Sequence, residues 1–173
     1  MSNKIIQTPV AEQTSTWAAL PVSFSFRTLT DINEILSHLE GRFPLADNFV
    51  LGVKELMVNA VEHGNLGIGY RFKTRLLEEG RWLEEITHRL TLPENAGKEA
   101  MVKLFSENGC LQVEITDAGN GFDYQSYITP ATESAKPNGR GLVLAHKLAF
   151  DHVQFLEGGR RVQAKKSFSA AAS

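Results

Sequence analysis

Three groups of residues in this sequence have types and spacings that could do chemistry. The first lies in DNFVLGVKELMVNAVEHGN, residues 47–65. Phe49, Val53, Leu56, Met57, Ala60 and Val61 recur there with a helical period, which puts Glu55, Asn59, Glu62 and His63 on the opposite side. Solvated helix faces usually stagger Lys and Arg against Glu. This one offers acid, amide, acid and imidazole, and a carboxylate and an amide oxygen one turn apart can grip a hydrated metal or a water. The bland alternative is a polar helix face, with Gly64 as an ordinary C-terminal stop.

The second group follows a strand. Leu111, Val113 and Ile115 alternate with Gln112, Glu114 and Thr116, and continuing that phase points Asp117 inward, onto the apolar side. A carboxylate there is costly unless hydrogen-bond donors reach it. A turn-forming Asp satisfied by backbone N–H groups would explain it, but Gly119 and Gly121 also let the backbone approach a ligand closely. The third group is Asn138-Gly139-Arg140-Gly141, which runs into the apolar helix pattern Leu142, Val143, Leu144, Ala145, Leu148. N–H groups at such a helix start form a seat for phosphate oxygens, although a glycine turn alone is a weak signal. Together the groups suit a nucleotide. An inward carboxylate accepts from a purine amino group, a helix start holds phosphates, and an amide oxygen enters the shell of Mg²⁺. A carboxylate one turn away can orient or deprotonate an attacking hydroxyl. No Walker-type phosphate loop occurs.

These groups need elements to position them. Val22, Phe24 and Phe26 alternate with polar residues as a first strand. Asp31 is expected to cap a helix of about ten residues with the stripe Ile32, Ile35, Leu36, Leu39, ending at Gly41. The stretch 70–91 has helical spacing interrupted at Gly80, as expected of a surface helical hairpin or, on the sharper reading, a partner-binding element. Strands at 100–106 and 110–116 meet at Glu107-Asn108-Gly109, a hairpin signal. Residues 122–138, with Tyr124, Tyr127, Pro130 and Pro137, read as a loop long enough to form a lid. Strands at 152–156 and 161–168 close the pattern across Glu157-Gly158-Gly159-Arg160.

The chain has 173 residues, 42% apolar and 22% charged, which fits one soluble domain, residues 22–168, between a loose arm (1–21) and a frayed tail (169–173). A net charge of −2 gives no broad basic field for nucleic acid and no polybasic membrane patch. No run is long enough to span a membrane, and the first residues lack the features of a secretory signal. The single Cys110 reads as a small packed hydrophobe in a chain suited to a reducing cytoplasm.

In this order the motifs resemble the Bergerat-fold (GHKL) ATPase superfamily of gyrase, heat-shock chaperones, histidine kinases and a mismatch-repair protein. Glu55-Leu56-x-x-Asn59-Ala60-x-x-His63-Gly64 looks like its N box. Asp117-Ala118-Gly119-Asn120-Gly121-Phe122 looks like its first glycine box, and Gly139-Arg140-Gly141-Leu142 like its second. Within the superfamily the chain looks most similar to the anti-sigma-factor serine/threonine kinases. The resemblance implies a two-layer α/β (α+β) sandwich, a mixed, mostly antiparallel sheet with helices on one face. It implies Glu55 as general base, Asn59 as Mg²⁺ ligand and His63 as a basic residue toward the phosphates. Asp117 would take the adenine amino group, Gly119 and Gly121 would line the base, and Gly139, Arg140, Gly141 and Leu142 would hold phosphates. The expected ligands are ATP and Mg²⁺, and the expected partner is a sigma factor or an anti-sigma antagonist; a homodimer is compatible with this. The chain departs from the compact kinases in its insertion at 70–91 and in Arg140, where a small or apolar residue is frequent.

Two functions from different classes follow. One is transfer of the ATP γ-phosphate to a Ser or Thr of a partner. The other is a non-catalytic module in which nucleotide occupancy gates protein binding. A slow ATPase of the chaperone or topoisomerase kind fits less well, because the chain has no transducer domain.

Overall fold

The period-two alternation at the start of the chain produces β1 (Val22–Phe26), with Phe26 buried. A computed structural model describes Trp17, residues 19–121 and residues 147–167. The expected lid and the second glycine box, Gly139 to Leu142, lie outside these described residues. After β1 the chain forms α1 (Leu29–Arg42), whose buried stripe is Ile32, Ile35, Leu36 and Leu39. The cap differs from expectation. Thr28 is the N-cap, and Asp31 is the third helical residue of a capping box. Thr28 Oγ1 accepts from Asp31 N at 3.1 Å, and Asp31 Oδ2 accepts from Thr28 N at 2.8 Å. The helix also runs 14 residues and passes through Gly41, because Phe43 buries itself just beyond and the Phe43 N–H closes the last turn on the Leu39 carbonyl.

Next comes α2 (Asp47–Asn59), which buries Phe49, Gly52, Val53, Leu56 and Met57. It does not end at Gly64. The backbone widens into a π-helical turn, Ala60–Asn65, and all six of its residues are buried. Single π turns interrupt helices most often where a functional group must be re-aimed. Then α3 (Tyr70–Glu78) and α4 (Trp82–Thr91) form a helical hairpin, broken as expected at Gly80, whose φ of +68° suits glycine.

The sheet is completed by β2 (Ala100–Glu107), β3 (Cys110–Thr116), β4 (His152–Leu156) and β5 (Arg161–Ser167), in the order β1-β2-β3-β5-β4. Every described pairing is antiparallel. Asn108 and Gly109 have φ of 52° and 72°, the two positive values that a two-residue hairpin turn needs, and Glu107 pairs with Cys110 across it. Ala100, Val102, Leu104, Leu111, Val113, Ile115, Val162 and Ala164 face α1 and α2 in one continuous core. The outward residues Ser25, Met101, Lys103 and Glu114 are more exposed. Gln112 also points outward, yet it is buried and donates to Glu107 Oε2 at 2.9 Å. The result is an α+β arrangement of sheet and covering helices. No described helix is long and apolar enough to cross a membrane.

Candidate functional site

Asp117 directly follows β3 at the edge of the core, 5% exposed, where the inward phase of Leu111, Val113 and Ile115 leads. Its backbone N–H donates to the Arg160 carbonyl at 2.9 Å, so the β4–β5 turn fixes its height. Its Oδ1 accepts from Gly119 N at 2.8 Å. Burial pushes the carboxyl pKa up; the Gly119 N–H and the Arg160 charge pull the other way. A carboxylate held this way is a strong acceptor facing a crevice.

That crevice is small, about 10 Å³, and also takes in Leu56, Asn59, Ala60, Ile115 and Arg160; neither Asp117 nor Asn59 lines the larger cleft beside it. Asn59 is 7% exposed, one helical turn after the half-buried Glu55 on α2. The structure therefore brings Asn59 and Asp117 together; Glu55 is not among the described residues lining this crevice or the larger cleft beside it. The cleft has a volume of about 640 Å³ and lies between His63 and Gly64 of the π turn, Arg89 and Lys98 near the hairpin, and the Gly119–Gly121 turn.

The glycines act mainly through close approach. A Cβ on Gly64 would collide with the Asp117 carboxyl group, and one on Gly119 would run into the Gly64 carbonyl oxygen. Gly121 has φ of +84°, and a Cβ there would meet the Gly158 carbonyl. Gly64 is thus no helix stop; it is the space that Asp117 occupies. Asn65, next to it, accepts from Ala118 N at 2.8 Å through Oδ1 and locks the glycine turn onto the π turn. Sequence pattern gave no sign of either role, since a Gly-Asn pair after a helix reads equally well as a terminator.

His63 and Glu62 also differ from the sequence reading. His63 is 6% exposed, and its Nδ1 hydrogen-bonds the Ile68 carbonyl. Nδ1 must carry the proton there, because a carbonyl only accepts. Burial lowers the imidazole pKa from 6.5 to about 4, with Lys73 adding to the effect. His63 is therefore neutral at pH 7 and does not bring the positive charge expected of it toward phosphates. Glu62 is fully buried and faces away from solvent: Lys73 Nζ sits 2.5 Å from its Oε2, and Trp82 Nε1 donates to its Oε1. Both partners come from the hairpin, so this acid anchors α3 and α4. Its Oε2 also lies 3.9 Å from His63 Nε2, a proximity that is no ion pair with a neutral ring.

Asn59 offers one amide oxygen to the crevice, a hard donor of the kind Mg²⁺ accepts. Mg²⁺ characteristically takes one or two protein oxygens and completes its shell with waters and substrate phosphates.

No curated protein matches the chain. Residues 27–166 match the family model of the histidine kinase-like ATPase domain, from just before α1 into β5, and this chain accordingly belongs to that ATP-binding family.

Proposed function

We propose that this domain binds Mg-ATP and transfers the γ-phosphate to a Ser or Thr hydroxyl of a partner protein, as the anti-sigma-factor kinases it resembles do. The observation that supports this most is the buried Asp117 carboxylate, which shares one small crevice with Asn59 and accepts from Gly119 N of the glycine turn. In this reading Asp117 accepts from the adenine amino group, and Gly119 and Gly121 keep the backbone low enough for the base to lie against it. Asn59 would hold Mg²⁺, which when bound neutralises charge on the phosphates. Neutral His63 shapes the cavity wall beside Gly64. Gly139, Arg140, Gly141 and Leu142 are assigned to the phosphates on sequence alone. Glu55, one turn before Asn59, takes the proton of the attacking hydroxyl. That oxygen then bonds to the γ-phosphorus, the bond from phosphorus to the β–γ bridging oxygen breaks, and ADP leaves. The partner would be a sigma factor or an anti-sigma antagonist in the cytoplasm.

Glu55→Gln should leave ATP affinity largely intact and slow phosphoryl transfer by roughly 10²–10⁴-fold, the usual contribution of a general base. Incubation with labelled ATP, Mg²⁺ and candidate antagonist proteins, scored for both labelling and complex formation, measures this. Full-rate transfer by the variant would favour a second reading, a nucleotide-gated binding module. That reading draws on Leu77 and Leu83, which stand 43% and 59% exposed on the hairpin as apolar contact points.

A further inference from the structure

We propose that Glu62 is a positioning residue for the nucleotide site: it fastens the helical hairpin to the π turn, and the docked hairpin sets the position of Asp117 and hence the affinity for ATP. The step rests on the reading of Asp117 as the base-binding group.

The geometry forms a continuous path. Glu62 has no solvent contact, and among the described residues its carboxyl oxygens are held by Lys73 Nζ at 2.5 Å, from α3, and by the Trp82 indole N–H, from α4. Two further cations reach the same turn. Arg89 Nη1 donates to the Leu66 carbonyl at 2.8 Å, and Lys98 Nζ donates to the Asn65 carbonyl at 3.0 Å. The hairpin and the segment that follows it thus satisfy carbonyls at and just past the C-terminal end of the π turn, where helical donors run out. Within the turn, Gly64 lies directly against the Asp117 carboxyl, and Asn65 Oδ1 holds Ala118 N at 2.8 Å. A shift of the hairpin therefore moves backbone that touches Asp117 on one side and pins the next residue on the other. Because close packing here leaves no slack at Gly64 and Gly119, displacement at the turn is passed on to Asp117.

Coupling of this kind is reciprocal: if docking tightens ATP binding, ATP must tighten docking by the same factor. Trp82 provides the readout, since its indole is one of the two groups on Glu62. The experiment uses the full chain carrying Trp17→Phe, which keeps an aromatic ring stacked on Phe43 and leaves Trp82 as the only tryptophan. ATP with Mg²⁺ is titrated while Trp82 emission is followed, and calorimetry gives the dissociation constant. The same measurements are made with Glu62→Gln, Lys73→Gln and Trp82→Phe added (calorimetry alone for the last). All are run well below the melting temperature of each variant, with the folded fraction checked by circular dichroism.

Trp82 emission should change and saturate at the calorimetric dissociation constant. Glu62→Gln should weaken ATP about tenfold, within the usual range of coupling between sites, and Lys73→Arg, which keeps the charge, should restore most of what Lys73→Gln loses. A purely structural anchor would lower the melting temperature and leave the affinity of the folded molecules unchanged. If Glu62→Gln does not fold, the half-buried Lys73 and Trp82 variants decide the matter. Wild-type affinity in those folded variants, or Trp82 emission that ignores ATP, overturns the proposal while the nucleotide reading stands. Failure of the unmodified chain to bind ATP removes that reading, and this proposal with it.

Discussion

His63 is an imidazole with its Nδ1 proton committed to a carbonyl and almost no access to water, and that combination sets the sign of a pH effect. Its folded pKa of about 4 lies below the ordinary 6.5. Above the unfolded value both states are neutral, and the contribution of His63 to stability is complete. As the pH falls from about 6.5 toward 4, the unfolded chain takes up a proton that the folded chain refuses, so stability is lost through that window. The full loss is roughly 3 kcal/mol at most. Asp117 acts in the opposite sense: its raised pKa means that protonation at lower pH relieves a buried charge. Urea midpoints at pH 7 and pH 5 check the assignment. The wild type should lose stability between them, and His63→Gln, whose amide can still donate to Ile68, should lose clearly less. Equal losses in both would show that the titrating group is elsewhere. His63 was visible in the sequence as a residue of the polar stripe, but its protonation was not. Desolvation depends on Ile68 and Lys73, which local periodicity does not reveal.

Elements differed in legibility according to whether their determinants are local. The strands and the Asn108-Gly109 turn were readable because side-chain alternation and positive φ are properties of adjacent residues. The inward aim of Asp117 followed from the same alternation. Glu62 was not readable as an anchor, since its partners Lys73 and Trp82 lie on two later helices and a long-range ion pair leaves no local trace. The first turn of α1 falls between these cases. Thr28 and Asp31 are both cap formers, spaced as a capping box, and Thr28 provides the cap because its Oγ1 reaches Asp31 N while the Asp31 carboxylate reaches back to the N–H groups of Arg27 and Thr28. Those bonds lower the Asp31 pKa in spite of the desolvation that opposes them. Thr28→Ala removes one acceptor and should cost about 1 kcal/mol, read as a lower urea midpoint at an unchanged slope. A neutral result would mean that Asp31 alone sustains the first turn.

At the scale of the whole molecule, the candidate site draws on parts that are far apart in sequence. Asn59 comes from α2, Asp117 from the end of β3, and the Arg160 carbonyl that holds Asp117 from the β4–β5 turn. No one of these elements can assemble the site alone, so a ligand held by these residues binds only the folded chain and stabilises it as a unit. With ATP and Mg²⁺ at a hundred times the dissociation constant, that linkage is worth about 2.7 kcal/mol. For a chain of this length it should raise the melting temperature by roughly 5–11 °C. Asp117→Asn separates ligand linkage from general salt effects. The amide oxygen can still accept from Gly119 N, which preserves the turn, but the NH₂ group would oppose the amino group of the base. The variant should therefore fold and melt near the wild type without ligand, and ATP should leave its melting temperature almost unmoved. An equal ATP shift in the variant and the wild type would place the base away from Asp117, and the crevice would then have to be reassigned.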